Sequence, residues 1–437
     1  MSDGPPTDAD PVEPTVVDAV RERLRPFPEP DAGTFGDRET RDAFADVFDA
    51  ALHDPTVIGL GEATHGTHEF FRFKARLFRY LVERRDHQLL CLEVEFTAGL
   101  ALDEYVRGAV DRPAPRVVDD SEILGNWQCE AVADLLEWLR AFNEGRDREE
   151  QVAVHGIDAQ RQRLPATALV AYLDRVDTEP PAGVREALDV LNCRPYMQLD
   201  EGEREPYRAA CRTVADDLGG HLEANEAVYA EETSRRAVRR ARQQCRNVGQ
   251  AGALAAAEAA GGQDAYVRAR EEAMARNVPW LLDHEAADQG AVWAHNSHVG
   301  RGPLYGHADG SIRALGDRLA EEFGDGYDAL GLTTASGHVR IYSLPDEAFR
   351  TPSIPEPPAG SLPAALGRTG TSPFFLDPQE AAAEPPVADW FTDCPRRHMV
   401  GGAYEDSPET YVAGDPRDAF DGLVFLGPTT AARAVDT

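Results

Sequence analysis

Lysine is almost absent from this sequence, whose 44 basic residues include a single lysine, Lys74. Against these stand 77 Asp and Glu residues, and the formal net charge is −33. A charge of this size repels nucleic-acid phosphates and anionic membrane surfaces. We therefore expect no nucleic-acid partner and no membrane partner.

The acidic, lysine-poor composition has two explanations. One is adaptation to salt, since at molar ionic strength the Debye length is roughly 3 Å and repulsion between carboxylates is screened. The other is a GC-rich genome, which explains arginine in place of lysine but not the acidic excess. The composition therefore favours a halophilic protein.

Paired cysteines and long apolar runs are also lacking. No CxxC pair and no Cys/His cluster occurs, which argues against a thiolate metal site. The first residues, MSDGPPTDADPVEP, do not resemble a signal peptide, and no stretch approaches 18 apolar residues. We expect a cytoplasmic protein with reduced, structural thiols at Cys91, Cys129, Cys193, Cys211, Cys245 and Cys394.

Several familiar catalytic motifs are missing. The absence of a GxSxG elbow and of a cysteine within a His-rich motif argues against a Ser or Cys nucleophile. Neither GxGxxG nor a Walker loop follows the first strand, which argues against dinucleotide or NTP chemistry. We expect no cofactor.

Short apolar runs that end in polar or glycine-containing turns predict five buried strands, at residues 56–61, 88–93, 151–157, 290–294 and 327–333. The first two flank HEFFRFKARLFRYLVER, whose apolar residues have helical spacing. Strand, helix and strand in this order are typical of a parallel sheet. We predict an α/β fold with a mostly parallel central sheet and helices on both faces.

The predicted organisation has four parts. Residues 1–14 are expected to be a disordered acidic tail, because Pro, Asp and Gly dominate there. Residues 15–162 and 286–437 are expected to form the two halves of the α/β catalytic core. Residues 163–285, rich in Arg, Glu and Ala, are predicted to be a large helical insertion.

Polar side chains follow the apolar strands where each one ends. Glu62 and His65 leave the first strand in GLGEATHGTHEFF, and the second ends in Glu93 and Glu95. Ligands of open α/β sheets bind at the carboxyl ends of strands. The alternatives without a functional role are helix capping around Glu62 and His65, and solvated charges at Glu93 and Glu95.

The later strands end in the same way. AVWAHNSHVGRG places His295 and His298 after one strand, and GIDAQ places Asp158 and Gln160 after another. A lone histidine there is more often a satisfied buried residue, but four strands with polar ends favour an active site.

An imidazole whose pKa is near 6.5 can take a proton from water if a carboxylate fixes its tautomer. Glu62 or Glu93 could supply that carboxylate for His65. His295 and His298 could donate hydrogen bonds to the carbonyl oxygen as it becomes an oxyanion. Lys74, on the helix after His65, is either retained by chance or retained because its position needs a compact ammonium.

The segments GLGEATHGTHEFFRFKARLFRYLVE, LEVEF, WQCEAVADLLEWLRAFN, VHGIDAQ, MARNVPWLL, WAHNSHVGR and FDGLVFLGPTTAARAV resemble the erythromycin esterase family in order, from about residue 20 to the end. Members hydrolyse the macrolactone ester of erythromycin-type antibiotics, and related proteins carry a succinoglycan biosynthesis label. The resemblance implies a carboxylic ester hydrolase acting on a small-molecule ester or lactone.

Matched to the family's motifs, the resemblance places the base on His65, the supporting glutamates on Glu62 and Glu93, and the basic helix residue on Lys74. The second histidine pair falls on His295 and His298. Two positions depart from the family: His68, where Arg is frequent, and Ser297, where Gly is usual. Both departures affect expected substrate contacts rather than the proposed catalytic groups.

Two other functions fit the same residues. The first is metal-dependent hydrolysis, because the histidines with Glu62 would also make a zinc or manganese ligand set. The second is a non-catalytic protein that binds haem or another ligand in a histidine-lined crevice. We favour hydrolysis without a metal ion, and the sequence leaves the natural substrate and the oligomeric state open.

Overall fold

A computed structural model describes residues 11–29, 38–123, 125–304, 312–343, 346–392, 394–397, 403–404 and 411–436. The expected disordered tail falls mostly outside this part of the chain. The first helix begins at Pro14.

The chain divides into two compact units. One comprises Met1–Glu93, Leu102–Val154 and Trp280–Thr437, and the other comprises Val94–Ala101 and His155–Pro279. The predicted boundaries at 163 and 285 stay a prediction.

The strands in chain order are β1 (Arg25–Pro26), β2 (Val57–Leu60), β3 (Leu89–Glu95), β4 (Ala153–Asp158), β5 (Gly290–Trp293), β6 (Tyr327–Thr333), β7 (Ile341–Ser343), β8 (Ala348–Arg350), β9 (Phe374–Leu376), β10 (Pro395–Arg397), β11 (Ala403–Tyr404), β12 (Tyr411–Ala413) and β13 (Gly422–Phe425).

The central sheet has eight strands in the order β1-β9-β13-β6-β2-β5-β3-β4. The pairs β13–β6, β6–β2, β2–β5 and β5–β3 are parallel. The pairs β1–β9 and β9–β13 are antiparallel. Two small sheets hold the remaining strands, β10-β12 and β11-β7-β8. The predicted α/β fold with a mostly parallel sheet is confirmed.

The five strands predicted from apolar runs correspond to β2 to β6. Every residue of these five strands is buried. Strands covered on both faces have no polar alternation, which is why the sequence shows continuous apolar runs there. The register of β2 pairs Leu60 with Trp293 of β5 and Leu330 of β6, so the residues that follow these strands emerge at one edge of the sheet.

The helices in chain order are α1 (Pro14–Arg21), α2 (Arg38–Ala51), α3 (His68–Arg85), α4 (Phe96–Val106), α5 (Ala114–Asp120), α6 (Glu130–Asn143), α7 (Arg163–Leu173), α8 (Val184–Leu191), α9 (Glu201–Arg212), α10 (Gly219–Ala224), α11 (Glu226–Glu232), α12 (Arg235–Glu285), α13 (Asn296–Val299), α14 (Leu315–Phe323), α15 (Leu362–Gly367), α16 (Pro378–Ala381), α17 (Pro385–Phe391) and α18 (Pro416–Ala419). Among the described residues, none of the helices is both long and apolar enough to cross a membrane.

The second unit is built mainly from α7 to α11 and most of α12. Its apolar core includes Leu169, Val184, Val214, Tyr229 and Val238. Helix α12 is broken at Gly262, whose φ of 72° is open to glycine but rarely to other residues.

Candidate active site

The loop between β2 and α3, residues 61–67, carries Glu62 and His65 and is called the base loop below. The Gly61 N–H donates to the Leu330 carbonyl of β6 at 2.8 Å, so the loop starts against the sheet. Gly66 has a φ of +121°, and a Cβ there would collide with the Arg340 carbonyl. The glycine after His65 is therefore required by both conformation and space.

His65 and Glu62 form a buried pair within this loop. The imidazole Nδ1 lies 2.6 Å from the Glu62 Oε1. A carboxylate accepts the hydrogen bond, so Nδ1 carries the proton in the neutral ring and the lone pair is on Nε2. The sequence left Glu62 and Glu93 as alternative partners of His65, and the structure places Glu62 against Nδ1.

Lys74 contacts the other oxygen of Glu62. Its Nζ lies 2.5 Å from the Glu62 Oε2, 3.4 Å from the Leu60 carbonyl oxygen, and 4.6 Å from the ring centroid of Trp293. The side chain is fully buried, and burial lowers the pKa of Lys74 to about 8, although Glu62 and Glu93 favour the charged form. The Lys74 ammonium and the Glu62 carboxylate therefore form a buried ion pair beside His65.

Glu93 lies in the middle of the three histidines. Its Oε1 accepts from the His298 Nε2 at 3.0 Å, and its Oε2 accepts the His295 backbone N–H at 2.9 Å. The same Oε2 lies 3.8 Å from the His65 Nε2. Glu93 thus faces the lone pair of the candidate base and fixes the start of α13.

The ring of His295 has a defined tautomer. Its Nδ1 accepts the Ser297 backbone N–H at 3.0 Å and lies 2.9 Å from the Ser297 hydroxyl. Because Nδ1 is the acceptor, the neutral ring carries its proton on Nε2. The centroids of the His295 and His65 rings are 5.1 Å apart, so the two rings are neighbours.

Asn296, between His295 and His298, bonds the segment that follows β5 to β6 of the central sheet. Its Nδ2 donates to the Leu332 carbonyl at 2.8 Å, and its Oδ1 accepts the Leu332 N–H at 3.1 Å. Its own N–H donates to the Glu62 carbonyl at 2.9 Å. Only the position of Asn296 inside HNSH could have suggested this role from the sequence.

A cluster of buried aromatic rings encloses the Lys74 and His65 end of the site. Trp127 lies 6.4 Å from His65, 5.5 Å from Phe71 and 5.4 Å from Trp293, measured between ring centroids. Sequence reasoning missed these rings, because an aromatic residue in an apolar segment gives no sign of which polar group it will cover.

Cys129, a buried thiol that follows Trp127 in the sequence, is a poor nucleophile. Burial raises the pKa of Cys129 to about 12, with a contribution from Glu62. Since the thiolate is the reactive form, Cys129 is inert at neutral pH.

The structure brings the six predicted residues together in the first unit: Glu62, His65, Lys74, Glu93, His295 and His298. The other polar strand ends lie in the second unit. There the Asp158 carboxylate accepts from Arg270 at 2.7 Å and from Gln160 at 2.7 Å. Burial, followed by the charge of Asp158, raises the pKa of Glu95 to about 8. These carboxyl groups form a cluster of their own.

Comparison with known proteins gives consistent results. The family model described as "Erythromycin esterase" matches residues 82–429, a stretch that includes Glu93, His295 and His298 and begins after Lys74. The "Erythromycin esterase type II" of Escherichia coli is 24% identical over 349 residues, which cover 74% of this chain and 81% of that protein.

Three solved structures share the fold. A Bacillus cereus protein has a TM-score of 0.78 at 22% identity, and a succinoglycan biosynthesis protein has 0.76 at 20%; each comparison covers 97% of this chain and 99% of the other. An erythromycin esterase mutant in its open conformation has a TM-score of 0.68 at 16% identity, with 91% and 96% covered.

Proposed function

Because this chain belongs to the erythromycin esterase family and is a carboxylic ester hydrolase, we propose that it cleaves a small-molecule ester or macrolactone with a water molecule that His65 activates, without a metal ion. The observation that carries the proposal is the buried chain of contacts from Lys74 to Glu62 to His65, with separations of 2.5 and 2.6 Å. It leaves a basic nitrogen, Nε2, directed away from its carboxylate partner.

The reaction begins when the His65 Nε2 accepts a proton from water as the water oxygen attacks the ester carbonyl carbon. The imidazolium formed is stabilised by the Glu62 carboxylate, which Lys74 contacts on its other oxygen. Glu93, 3.8 Å from Nε2, is placed to accept a hydrogen bond from the same water. A positioned base of this kind typically accelerates a reaction by about 10² to 10⁴-fold.

The negative charge that develops on the carbonyl oxygen has to be stabilised by a hydrogen-bond donor. His295 fits this role as a neutral ring, because Ser297 fixes its proton on Nε2. His298 already directs its Nε2 at Glu93 and would donate from Nδ1 only as an imidazolium. When the tetrahedral intermediate collapses, the carbon–oxygen bond to the leaving alcohol breaks and the His65 imidazolium returns the proton to it.

The charge of Lys74 argues against metal-dependent hydrolysis. A divalent cation bound by Glu62 would lie beside an ammonium that is 2.5 Å from the same carboxylate. Two cations that share one buried carboxylate lie only a few ångströms apart and repel each other. The same ammonium compensates the Glu62 charge, which removes the electrostatic need for a metal ion.

Replacement of His65 tests the proposal. His65→Ala should lower turnover of an activated ester by about 10² to 10⁴-fold while the protein remains folded. His87→Ala is the matched control, because His87 is also buried but lines a separate cavity. That cavity is also lined by Gln88, which precedes β3, and by Asp288, which precedes β5. Wild-type turnover in His65→Ala would show that another group activates the water.

A further inference from the structure

The final residues of the chain cross the base loop as an extended segment, residues 430–435, called the C-terminal strap. The Ala432 N–H donates to the Gly66 carbonyl at 2.8 Å, and the His68 N–H donates to the Thr430 carbonyl at 2.9 Å. Between these bonds, Thr67 and Ala431 form an antiparallel bridge. The strap therefore pairs with the backbone on the carboxyl side of His65.

The other half of the strap pairs with the residues after Trp127. The Glu130 N–H donates to the Arg433 carbonyl at 2.9 Å, and Cys129 forms an antiparallel bridge with Ala434. Trp127 packs against the His65 ring at a centroid distance of 6.4 Å. One short segment is thus bonded to the loop that carries the base and to the segment that carries its aromatic neighbour.

A side chain fastens the strap to the first turn of α3. The Glu69 carboxylate accepts the Thr430 N–H on one oxygen and the Thr430 hydroxyl on the other, both at 2.7 Å. These bonds hold the first residue of the strap, Thr430, beside the start of α3, where the base loop ends.

The strap contributes little to the core of the fold. The central sheet ends in sequence at β13, whose last residue is Phe425, and the strap adds no strand to it. Of residues 430–435, Ala432 alone is buried. The contacts of the strap are concentrated on the surroundings of His65.

We propose that the C-terminal strap is a positioning element of the active site, which sets the distance and angle between the His65 imidazole and the groups around it. The proposal rests on the proposed role of His65 as the base. The hydrogen bonds of the strap described above join it to the backbone of Gly66 and His68 and to Glu69 rather than to the His65 ring, so the strap acts through the base loop.

Two substitutions in the full chain test this inference. Ala432→Pro removes the N–H that donates to Gly66, and Glu69→Ala removes both bonds to Thr430. Small misplacements of a catalytic group cost up to about 100-fold in rate. We expect kcat for Ala432→Pro to fall about 10 to 100-fold, with a smaller fall for Glu69→Ala and little change in KM for either.

Asp377→Ala is the matched control for Glu69→Ala. Asp377 is also a carboxylate at the start of a helix and accepts two bonds, from the N–H groups of Gln379 and Glu380 at 2.8 and 3.0 Å. The two variants should lose similar melting temperature, and only Glu69→Ala should lose kcat. Equal kcat in the two variants would overturn the proposal, and this arm remains decisive if Ala432→Pro does not fold.

A double-mutant cycle separates the strap from the function it rests on. If the strap acts through the base, Ala432→Pro should lower kcat in the wild-type background but not further in His65→Ala. An equal fold-loss in both backgrounds would overturn the positioning role. Wild-type turnover in His65→Ala alone would instead refute the base assignment.

Discussion

At the scale of single residues, the site depends on how two side chains, His65 and Lys74, share the Glu62 carboxylate. Glu62 accepts from His65 on one oxygen and contacts Lys74 on the other, and neither Glu62 nor Lys74 reaches solvent. The desolvation of an ion pair this deeply buried offsets most of its Coulomb energy, so the pair adds little net stability. Removal of Lys74 alone would leave the Glu62 charge buried and unpaired, which costs about 3–5 kcal/mol, so turnover of Lys74 variants has to be measured on protein shown to be folded.

Lys74→Met and Lys74→Arg should separate charge from shape. The Met variant should lose most turnover, because Glu62 then has no buried cation and is destabilised in its ionised form. The Arg variant should be intermediate, since a planar guanidinium does not fit the ammonium's site without rearrangement. Rates for the folded variants check this, and wild-type turnover in both would show that Lys74 is incidental.

The pH dependence gives Lys74 an independent signature. Its pKa of about 8 predicts that wild-type turnover falls as pH rises through about 8, and Lys74→Arg should lose that alkaline limb because arginine stays charged. Stability should respond in the opposite direction. The unfolded lysine keeps its proton up to about 10.5, so between about 8 and 10.5 this residue makes the free energy of unfolding rise with pH. An alkaline limb retained unchanged in Lys74→Arg would contradict the assignment.

At the scale of elements, the sequence predicted the strands that matter most for the site. Runs such as LLCLEVE are apolar throughout because β3 is covered on both faces, and the helix that became α3 has clear helical spacing. Short strands at edges, such as β1 and β8, were not predicted, since two or three residues carry no periodicity. The C-terminal strap was missed for a related reason, because its partners lie hundreds of residues earlier in the chain.

Part of the candidate site was also predictable, and part was not. Carboxyl ends of parallel strands share one edge of a sheet, which made the grouping of His65, Glu93 and His295 predictable from the strands alone. The partner of each imidazole nitrogen was not predictable, because it depends on rotamers and on the close approach of two loops. The link from Asn296 to Leu332 belongs to this second kind.

A glycine in the base loop offers a test at this scale. Gly66→Ala should lower the free energy of unfolding by about 1–3 kcal/mol, because the residue keeps a positive φ and its new Cβ meets the Arg340 carbonyl. Turnover should fall as well, because Gly66 directly follows His65 in the base loop. Gly108→Ala is the control, because Gly108 also has a positive φ, of 74°, but a Cβ there would meet no atom of the described residues within 4 Å. Equal effects of the two substitutions on melting and turnover would contradict this account.

At the scale of the whole molecule, the dominant property is the net charge of −33. Exposed Arg–carboxylate pairs recur over the surface, for example Arg84 with Asp42 and Arg185 with Asp174. Such pairs contribute roughly 0–1 kcal/mol each, too little to offset a large acidic excess at low salt. We therefore propose that this hydrolase is adapted to high salt.

Thermal melting at 0.1 M and 3 M KCl checks this proposal. The melting temperature should rise with salt, because the repulsion among carboxylates is screened when the Debye length falls from about 10 Å to a few ångströms. A cooperative melt that is the same at both concentrations would show that the acidic composition has no role in stability.

The mechanism that we propose requires His65 to activate water in a site without a metal ion. The most direct test measures hydrolysis of an activated ester or lactone by the wild-type protein at molar KCl after exhaustive chelation, with metal content determined on the same sample. We expect full turnover from protein that contains far less than one metal ion per chain. Activity that disappears with the metal and returns on addition of zinc or manganese would contradict this mechanism and would make these histidines metal ligands.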